Sequence, residues 1–194
     1  MTEIDNQVVA AAQAGDEAAC RTIIDVLHRP ILATVYRFLG SRHQADVEDI
    51  AQDILLKIFR SIERFDAGRG VKFTTWVYTF VRNHCFDVLK KRRVPTASLS
   101  AAHDGEGQRD VADLGTAQPG SAVENEELGD KIEEALAALG EDQRMVFVLR
   151  EYEGLEYGAI AVVMGISEGT VKSRLHRAKE SLRHRLQPYL RAGA

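Results

Sequence analysis

The chain has 194 residues, of which 45% are hydrophobic and 28% charged, and its net charge is −4 at pH 7. This composition excludes an intrinsically disordered chain and is typical of a soluble globular protein with one large domain or two small ones. No apolar run reaches the roughly 18 residues of a membrane span, and the N-terminus lacks the basic start and apolar stretch of a signal peptide. We therefore expect no membrane insertion and a cytoplasmic protein, in which the two cysteines are buried free thiols rather than a disulfide or a redox switch.

The N-terminal half predicts helices, because its apolar residues recur at helical spacing. A first helix covers about residues 5–14. A second, capped by Asp16, runs to about Leu39 with an interruption near Pro30, since proline removes a helical hydrogen bond. After a break at residues 40–41, a third helix carries an acidic and amide face that lies largely off its apolar stripe, formed by Asp46, Glu48, Asp49, Gln52 and Asp53. A loop at residues 66–70 and a fourth helix over about residues 74–92 follow.

Residues 95–124 have a different composition, with two prolines, four glycines and a net charge of −4. A structureless stretch of this length is unusual inside a compact domain, so it predicts a flexible acidic linker between domains at residues 1–94 and 125–194. Two interpretations of this segment stay open: a solvated tether, or an acidic segment that occupies a basic channel in a partner.

The C-terminal part predicts helices over about residues 125–139 and 141–152, and then a helix-turn-helix. Ala161 is small where two helices would cross, Gly165 suits the turn because a positive φ is easiest without a Cβ, and Ser167 is a good N-cap. The second helix of the motif places basic and polar residues where they can reach a DNA major groove: Lys172, Ser173, Arg174, His176 and Arg177. An exposed basic helix without a function is the alternative. The fold class is therefore all-α, with two small helical domains joined by a flexible linker.

Positive charge is concentrated in two segments. Residues 67–93 and residues 169–194 each contain seven basic residues and one acid, a net charge of +6 each, so the rest of the chain sums to −16. This distribution predicts two contacts with a polyanion. In the first segment aromatic residues lie among the cations, which suits single-stranded nucleic acid. For Trp76 and Phe80, four residues apart, packing in the core is the better explanation. Asn83 is a candidate reader of an unstacked base.

Two stretches carry a resemblance to a known family. Residues 45–66 (ADVEDIAQDILLKIFRSIERFD) with 73–93 (FTTWVYTFVRNHCFDVLKKRR) resemble region 2 of the extracytoplasmic-function sigma factors, and residues 143–182 resemble region 4. The similarity is to group 4 of the sigma-70 family, of the RpoE and SigW type. It implies a factor, monomeric when free, that binds the clamp helices and flap of core RNA polymerase. It also implies that region 4 reads duplex promoter DNA at the −35 element, that region 2 reads and melts the −10 element as single strands, and that an anti-sigma factor controls the protein.

The resemblance also implies roles for individual residues. Asn83 matches an asparagine that holds a −10 base flipped from the stack, and residues 66–72 match the loop that forms its pocket. The cations that then act as clamps on the DNA backbone are Lys72, Arg82, Lys90 and Arg93. The −10 set is Asp66, Gly68, Arg69, Lys72, Phe73, Arg82, Asn83, Lys90 and Arg93. The acidic face of the third helix matches the surface that docks on the polymerase clamp helices. The chain departs from the family pattern at Gly140, where proline is usual, at Ala159, where glutamate is usual, and at His176, where an aromatic residue is frequent.

No nucleophile elbow, phosphate-binding loop or zinc pattern occurs, so we expect no enzymatic activity, no catalytic residues, no metal and no cofactor. Two other functions are considered. A free-standing repressor or activator would bind duplex DNA alone as a dimer, and it would leave the aromatic-basic segment and the acidic face unexplained. An adaptor that titrates an anti-sigma factor would tolerate damage to Asn83, Lys172 and Arg177, and these residues are intact.

Overall fold

The computed structural model describes residues 3–93 and 122–190. The predicted linker at residues 95–124 lies outside the described residues, except for its last three positions. In the described ranges the backbone forms α-helices and short 3-10 turns, and it forms no strand there, which confirms the all-α class. The helices are α1 (Asn6–Gln13), α2 (Glu17–Leu39), α3 (Val47–Ser61), α4 (Phe73–Arg93), α5 (Ala122–Ala137), α6 (Glu141–Glu151), α7 (Tyr157–Met164) and α8 (Glu168–Leu190).

Local signals set several helix ends as predicted. The Asp16 side chain accepts a hydrogen bond from the backbone N–H of Ala19 at 2.9 Å and so caps α2. Gly165 adopts φ 65 in the turn after α7, and the hydroxyl of Ser167 accepts from the backbone N–H of Thr170 at 3.2 Å at the start of α8. The predicted helix-turn-helix is therefore confirmed in its turn and its cap.

The predicted interruption near Pro30 is wrong, because α2 is continuous from Glu17 to Leu39. Proline removes one backbone hydrogen bond and crowds the preceding turn. However, Leu27 and Ile31 on either side of it are fully buried. Their burial stabilises the helix on both sides of the proline, by about 1.5–3 kcal/mol for each large apolar side chain, and this outweighs the local defect.

One predicted boundary also needs correction. Helix α5 begins at Ala122, so residues 122–124 are helical rather than part of the linker. The sequence signal for this boundary is composition, which locates a helix end only to within a few residues. The predicted break at residues 40–41 is confirmed, because α2 ends at Leu39 and a 3-10 helix, Ser41–Asp46, precedes α3.

The N-terminal helices form a bundle around α2, which contacts α1, α3 and α4. Helix α3 buries the stripe that its sequence predicts, including Ile50, Ile54 and Ile58. The C-terminal helices are organised by α8, which packs on α5, α6 and α7. Ala178 and Leu182 of α8 form a small core with Leu136 and Leu139.

The two bundles also pack against each other, chiefly through α4 with α7 and α2 with α6. The main apolar core is continuous across this contact, since Phe38 and Val77 of the N-terminal bundle belong to the same cluster as Leu149 and Ile160. We call this contact the interbundle interface. The sequence, which predicts two domains on a linker, does not predict it.

A buried carboxylate lies at the interbundle interface. Glu153, 7% exposed, accepts hydrogen bonds from the hydroxyl groups of Thr34 at 2.7 Å and Tyr78 at 2.5 Å. Burial, together with the neighbouring Glu153 carboxylate, raises the pKa of Tyr78, so this phenol stays protonated and can donate. Nearby, Arg144 donates to the backbone carbonyl of Phe38 at 2.7 Å. Polar contacts, in addition to apolar ones, therefore hold the two bundles together.

Candidate nucleic-acid interfaces

The N-terminal half of α8 presents the predicted −35 reading face. Lys172, Ser173, His176 and Arg177 are all exposed, while Val171, Leu175 and Ala178 on the opposite side are buried. The periodicity that buries one face therefore leaves the polar face open to a major groove. His176 lies 3.5 Å from the carboxylate of Glu180.

Arg174 occupies a different position from the other members of this set. Its guanidinium lies 2.9 Å from the carboxylate of Asp142 in α6, and its side chain is 24% exposed. Lys179 makes a similar contact with Glu151 at the other end of α6, at 2.9 Å. These two ion pairs connect α8 to α6, so the guanidinium of Arg174 is engaged with α6 and does not belong to the free face of α8.

Tyr157, at the start of α7, contacts a residue of the reading face. The Lys172 ammonium lies 5.7 Å from the centre of the Tyr157 ring, and Arg150 lies 4.8 Å from the same ring. Cation–π contacts at this distance orient a long side chain that would otherwise sample many rotamers. Tyr157 is not among the residues predicted from the sequence, and no local pattern indicates it, because the contact depends on how α7 crosses α8.

The predicted −10 loop is built on Asp66. The carboxylate accepts from the backbone N–H of Gly68 at 2.8 Å and lies 3.4 Å from the guanidinium of Arg69, and a 3-10 turn (Ala67–Arg69) follows it. The loop ends at Gly70, whose φ is 72. All four residues are exposed, so the loop is ordered by its own side chain and lies open at the surface.

Two residues of the −10 set are not free at the surface. Phe73 is 2% exposed and packs edge-on against Phe65, with ring centres 5.1 Å apart, so it supports the loop from beneath and its ring does not face DNA. The Lys72 ammonium lies 2.7 Å from the Glu3 carboxylate of the N-terminal segment. Trp76 stacks on Phe73 and contacts Phe80, with ring centres 4.7 Å apart, which is the core-packing interpretation of these aromatic residues.

The middle of α4 carries the candidate base reader. Asn83 is exposed, and its side-chain oxygen accepts a hydrogen bond from the Arg82 guanidinium at 2.9 Å. Lys90 is exposed further along the same helix. Arg93 is the last residue of α4, and its side chain lies outside the described part. The −10 loop and Asn83 therefore belong to one continuous stretch, the loop before α4 and the helix itself.

The acidic face of α3 forms a separate surface. Glu48, Asp49, Gln52 and Asp53 are exposed, and Asp46 is half-buried at the start of the helix. Glu48 lies 3.0 Å from the ring of His28, and this hydrogen bond lowers the pKa of the Glu48 carboxyl. Leu56, one turn beyond Gln52, is 53% exposed. An apolar side chain beside acids suits a protein surface better than a nucleic acid, whose phosphates repel carboxylates.

Within residues 3–93 and 122–190 no group of three or more His, Cys, Asp or Glu side chains could hold a metal ion. None of the described helices is both long and apolar enough to cross a bilayer.

Comparison with known proteins gives matches over both halves of the chain. The family model "Sigma-70 region 2" matches residues 23–94, and the model "Sigma-70, region 4" matches residues 129–182. The RNA polymerase sigma-H factor of Pseudomonas aeruginosa is 33% identical over 97% of this chain and 97% of its own length. The ECF RNA polymerase sigma factor SigW of Bacillus subtilis is 35% identical over 89% of this chain and 91% of its own length.

Solved structures share the fold. CnrH, in complex with the cytosolic domain of CnrY, superimposes with a TM-score of 0.68 at 23% identity, over 95% of this chain and 97% of that one. RpoE from Bartonella quintana, in complex with the anti-sigma factor NepR, gives a TM-score of 0.63 at 23% identity, over 86% of this chain and 96% of that one. At these identities the likeness concerns the fold alone.

Proposed function

Since the chain belongs to the extracytoplasmic-function sigma factors of the sigma-70 family, we propose that it binds core RNA polymerase, directs it to specific promoters and starts promoter melting. The observation that carries this proposal is the pairing of two separate basic surfaces on one chain, an exposed −35 reading face on α8 and an exposed loop with Asn83 on α4. A repressor or activator that binds only duplex DNA needs only the first of these surfaces.

The proposed domain organisation is the one predicted from the sequence, and it is supported by the family matches at residues 23–94 and 129–182. Residues 1–94 act as region 2, residues 125–194 act as region 4, and the acidic segment between them connects the two. Region 4 contacts the −35 element as duplex DNA through Lys172, Ser173, His176 and Arg177, with Arg174 setting the angle of the helix. Phosphate contacts fix the register, while contacts to base edges supply the sequence preference.

Region 2 binds the −10 element as the two DNA strands separate. The Asp66 loop and Asn83 hold a base that has left the stack, and this capture offsets a lost stacking energy of a few kcal/mol. Lys72 and Lys90 contact the DNA backbone. For Lys72 this contact requires that its ion pair with Glu3 opens. The acidic face of α3 docks on the clamp helices of the polymerase, with Leu56 as an apolar contact at its C-terminal end.

The finer classification and the partners are proposed on the same basis. The factor belongs to group 4, of the RpoE and SigW type, acts in the cytoplasm, and is a monomer when free. It supplies no catalytic residue, because the polymerase performs the chemistry. An anti-sigma factor, of the kind bound to RpoE of Bartonella quintana, holds it inactive.

The proposed function is tested by run-off transcription with purified bacterial core polymerase on a pooled promoter library, with and without the protein. Transcripts that require the protein and share an upstream sequence support the proposal and identify the promoter. If no transcript appears and the protein alone binds duplex DNA as a dimer, it is a repressor or activator instead, and the proposal is wrong.

A further inference from the structure

The side chain of Arg82 lies over Phe86, one helical turn further along α4. The centre of its guanidinium is 4.5 Å from the ring centre of Phe86, and the Phe86 ring lies 5.2 Å from that of Phe38 in α2. Phe38 is fully buried. A stack of two rings that begins in the core therefore holds the guanidinium in place.

The guanidinium is already engaged within the protein. Its Nε is buried and has no acceptor within the described part of the chain, and one terminal nitrogen donates to Asn83 Oδ1 at 2.9 Å. A backbone clamp needs its guanidinium turned to solvent to form a forked contact with a phosphate. Arg82 thus differs from Lys90, whose exposed ammonium can contact a phosphate as a single positive charge.

The Arg82 contact determines which end of the Asn83 amide is available. A guanidinium has five N–H donors and no acceptor, so an amide beside it must turn its oxygen towards the arginine. The NH₂ group of Asn83 then remains for another partner. Without Arg82 the amide is free to rotate, and its donor and acceptor ends exchange.

We infer that Arg82 is a positioning residue, which fixes the Asn83 amide so that its NH₂ group donates to an acceptor on the captured −10 base. The inference rests on the proposed function, in which Asn83 holds that base. It assigns a chemical preference: the base at this position offers a hydrogen-bond acceptor to Asn83. It also reassigns Arg82, which the resemblance to the family places among the backbone clamps.

The experiment measures base discrimination at each −10 position, as transcript yield from a library randomised over that element, with core polymerase and the full-length chain. Asn83→Ala identifies the position that Asn83 reads. At that position Arg82→Met, which keeps an unbranched side chain but removes the donor, is expected to reduce discrimination about tenfold. In the Asn83→Ala background, Arg82→Met should cause no further loss, because the arginine acts only through the asparagine.

Two further variants test the role of the Asn83 NH₂ group and control for the loss of positive charge. Asn83→Asp keeps the shape and the contact with Arg82 but replaces the NH₂ group with an acceptor, so it should lose discrimination as fully as Asn83→Ala. Lys90→Met also removes one positive charge from α4. It should weaken transcription from all library members alike and reduce the dependence on salt concentration, without changing the preferred base.

Four outcomes would overturn the inference. Additive losses from Arg82→Met and Asn83→Ala, or a uniform loss from Arg82→Met like that of Lys90→Met, would make Arg82 a clamp and leave the proposed function intact. Retained discrimination in Asn83→Asp would show that the oxygen is the reading group. If Asn83→Ala changed discrimination at no position while transcription still required the protein, both the inference and the role of Asn83 would be wrong. Thermal unfolding of each variant identifies any that fails to fold, and Arg82→Leu, which also removes the donor, then replaces Arg82→Met.

Discussion

At the scale of single residues, two arginines one turn apart on α8 differ in their surroundings. Arg177 is exposed on the proposed reading face, whereas Arg174 is paired with Asp142 at 2.9 Å and is 24% exposed. The sequence predicts both as members of the DNA-binding surface. The contacts separate a residue that is free to reach a base from one that holds the helix.

This difference predicts different consequences of the same substitution. Arg177→Ala should reduce −35 discrimination, by about 1–3 kcal/mol if the guanidinium contacts a base edge, with little change in stability. Arg174→Ala should weaken transcription from strong and weak −35 variants alike. It should also lower the free energy of unfolding by no more than about 1 kcal/mol, because the pair is partly exposed.

Transcription from a panel of −35 variants, together with thermal unfolding of each protein, checks both expectations. A loss of −35 discrimination in Arg174→Ala that equals the loss in Arg177→Ala would return Arg174 to the reading face.

At the scale of secondary-structure elements, the junction between α5 and α6 departs from the family pattern. Gly140 precedes α6 with φ −59 and ψ 144, values that proline adopts without strain. A Cβ built on this glycine meets nothing within 4 Å. The position is therefore suited to the proline that the family usually has, and the glycine leaves the unfolded chain with more conformational freedom.

We predict that Gly140→Pro raises the free energy of unfolding by about 0.4–1 kcal/mol, since proline reduces the conformational entropy of the unfolded chain. Gly154→Pro is the matched control. Gly154 has φ 70, which a proline ring cannot adopt, so this variant should be clearly destabilised. Denaturant unfolding of both variants checks the prediction, which fails if Gly140→Pro is less stable than the parent chain.

At the scale of the whole molecule, the packed arrangement and the proposed function require different shapes. A compact chain of 194 residues has a diameter on the order of 40 Å. The −10 and −35 elements are about 25 base pairs apart, roughly 85 Å at 3.4 Å per base pair. The two bundles must therefore separate when both elements are bound. Residues 94–121, which connect α4 to α5, can extend to about 95 Å, so the chain length permits this.

The contacts of Glu153 predict how the separation is controlled. Tyr78→Phe removes one of the two hydroxyl groups that donate to this buried carboxylate and leaves the apolar ring in place. A hydrogen bond to a charged group contributes about 1.5–3 kcal/mol, so the equilibrium should shift about tenfold or more towards separated bundles. Glu153 returns to water in that state and needs no partner.

Small-angle X-ray scattering of the free protein checks this, with an increased radius of gyration expected for Tyr78→Phe. Tyr189→Phe makes the same chemical change at a tyrosine that is 46% exposed, and it should leave the scattering unchanged. Identical scattering of Tyr78→Phe and the parent chain at equal helix content would mean that the Glu153 contacts do not hold the bundles together.

Features that depend on residues close together in the chain could be predicted from the sequence alone. The spacing of Val171, Leu175 and Ala178 identified the face of α8 that is buried, and Gly165 and Ser167 marked the turn and the cap, because these signals act within one or two helical turns. The charge distribution located both basic surfaces. The same local rules wrongly predicted an interruption of α2 at Pro30. The helix is continuous because burial of its side chains against distant residues compensates for the one lost hydrogen bond.

Contacts between residues distant in sequence can be identified only from the tertiary structure. Glu153 meets Tyr78 and Thr34 across 75 and 119 residues, and the ion pair of Arg174 with Asp142 and the ring stack under Arg82 likewise depend on how helices pack. Helix packing is set by the shape of whole surfaces, and a pattern of spacing within one helix contains no information about the surface it meets. For this reason the sequence predicts the candidate reading residues as a group, and only the structure distinguishes those that are exposed from those that contact other helices.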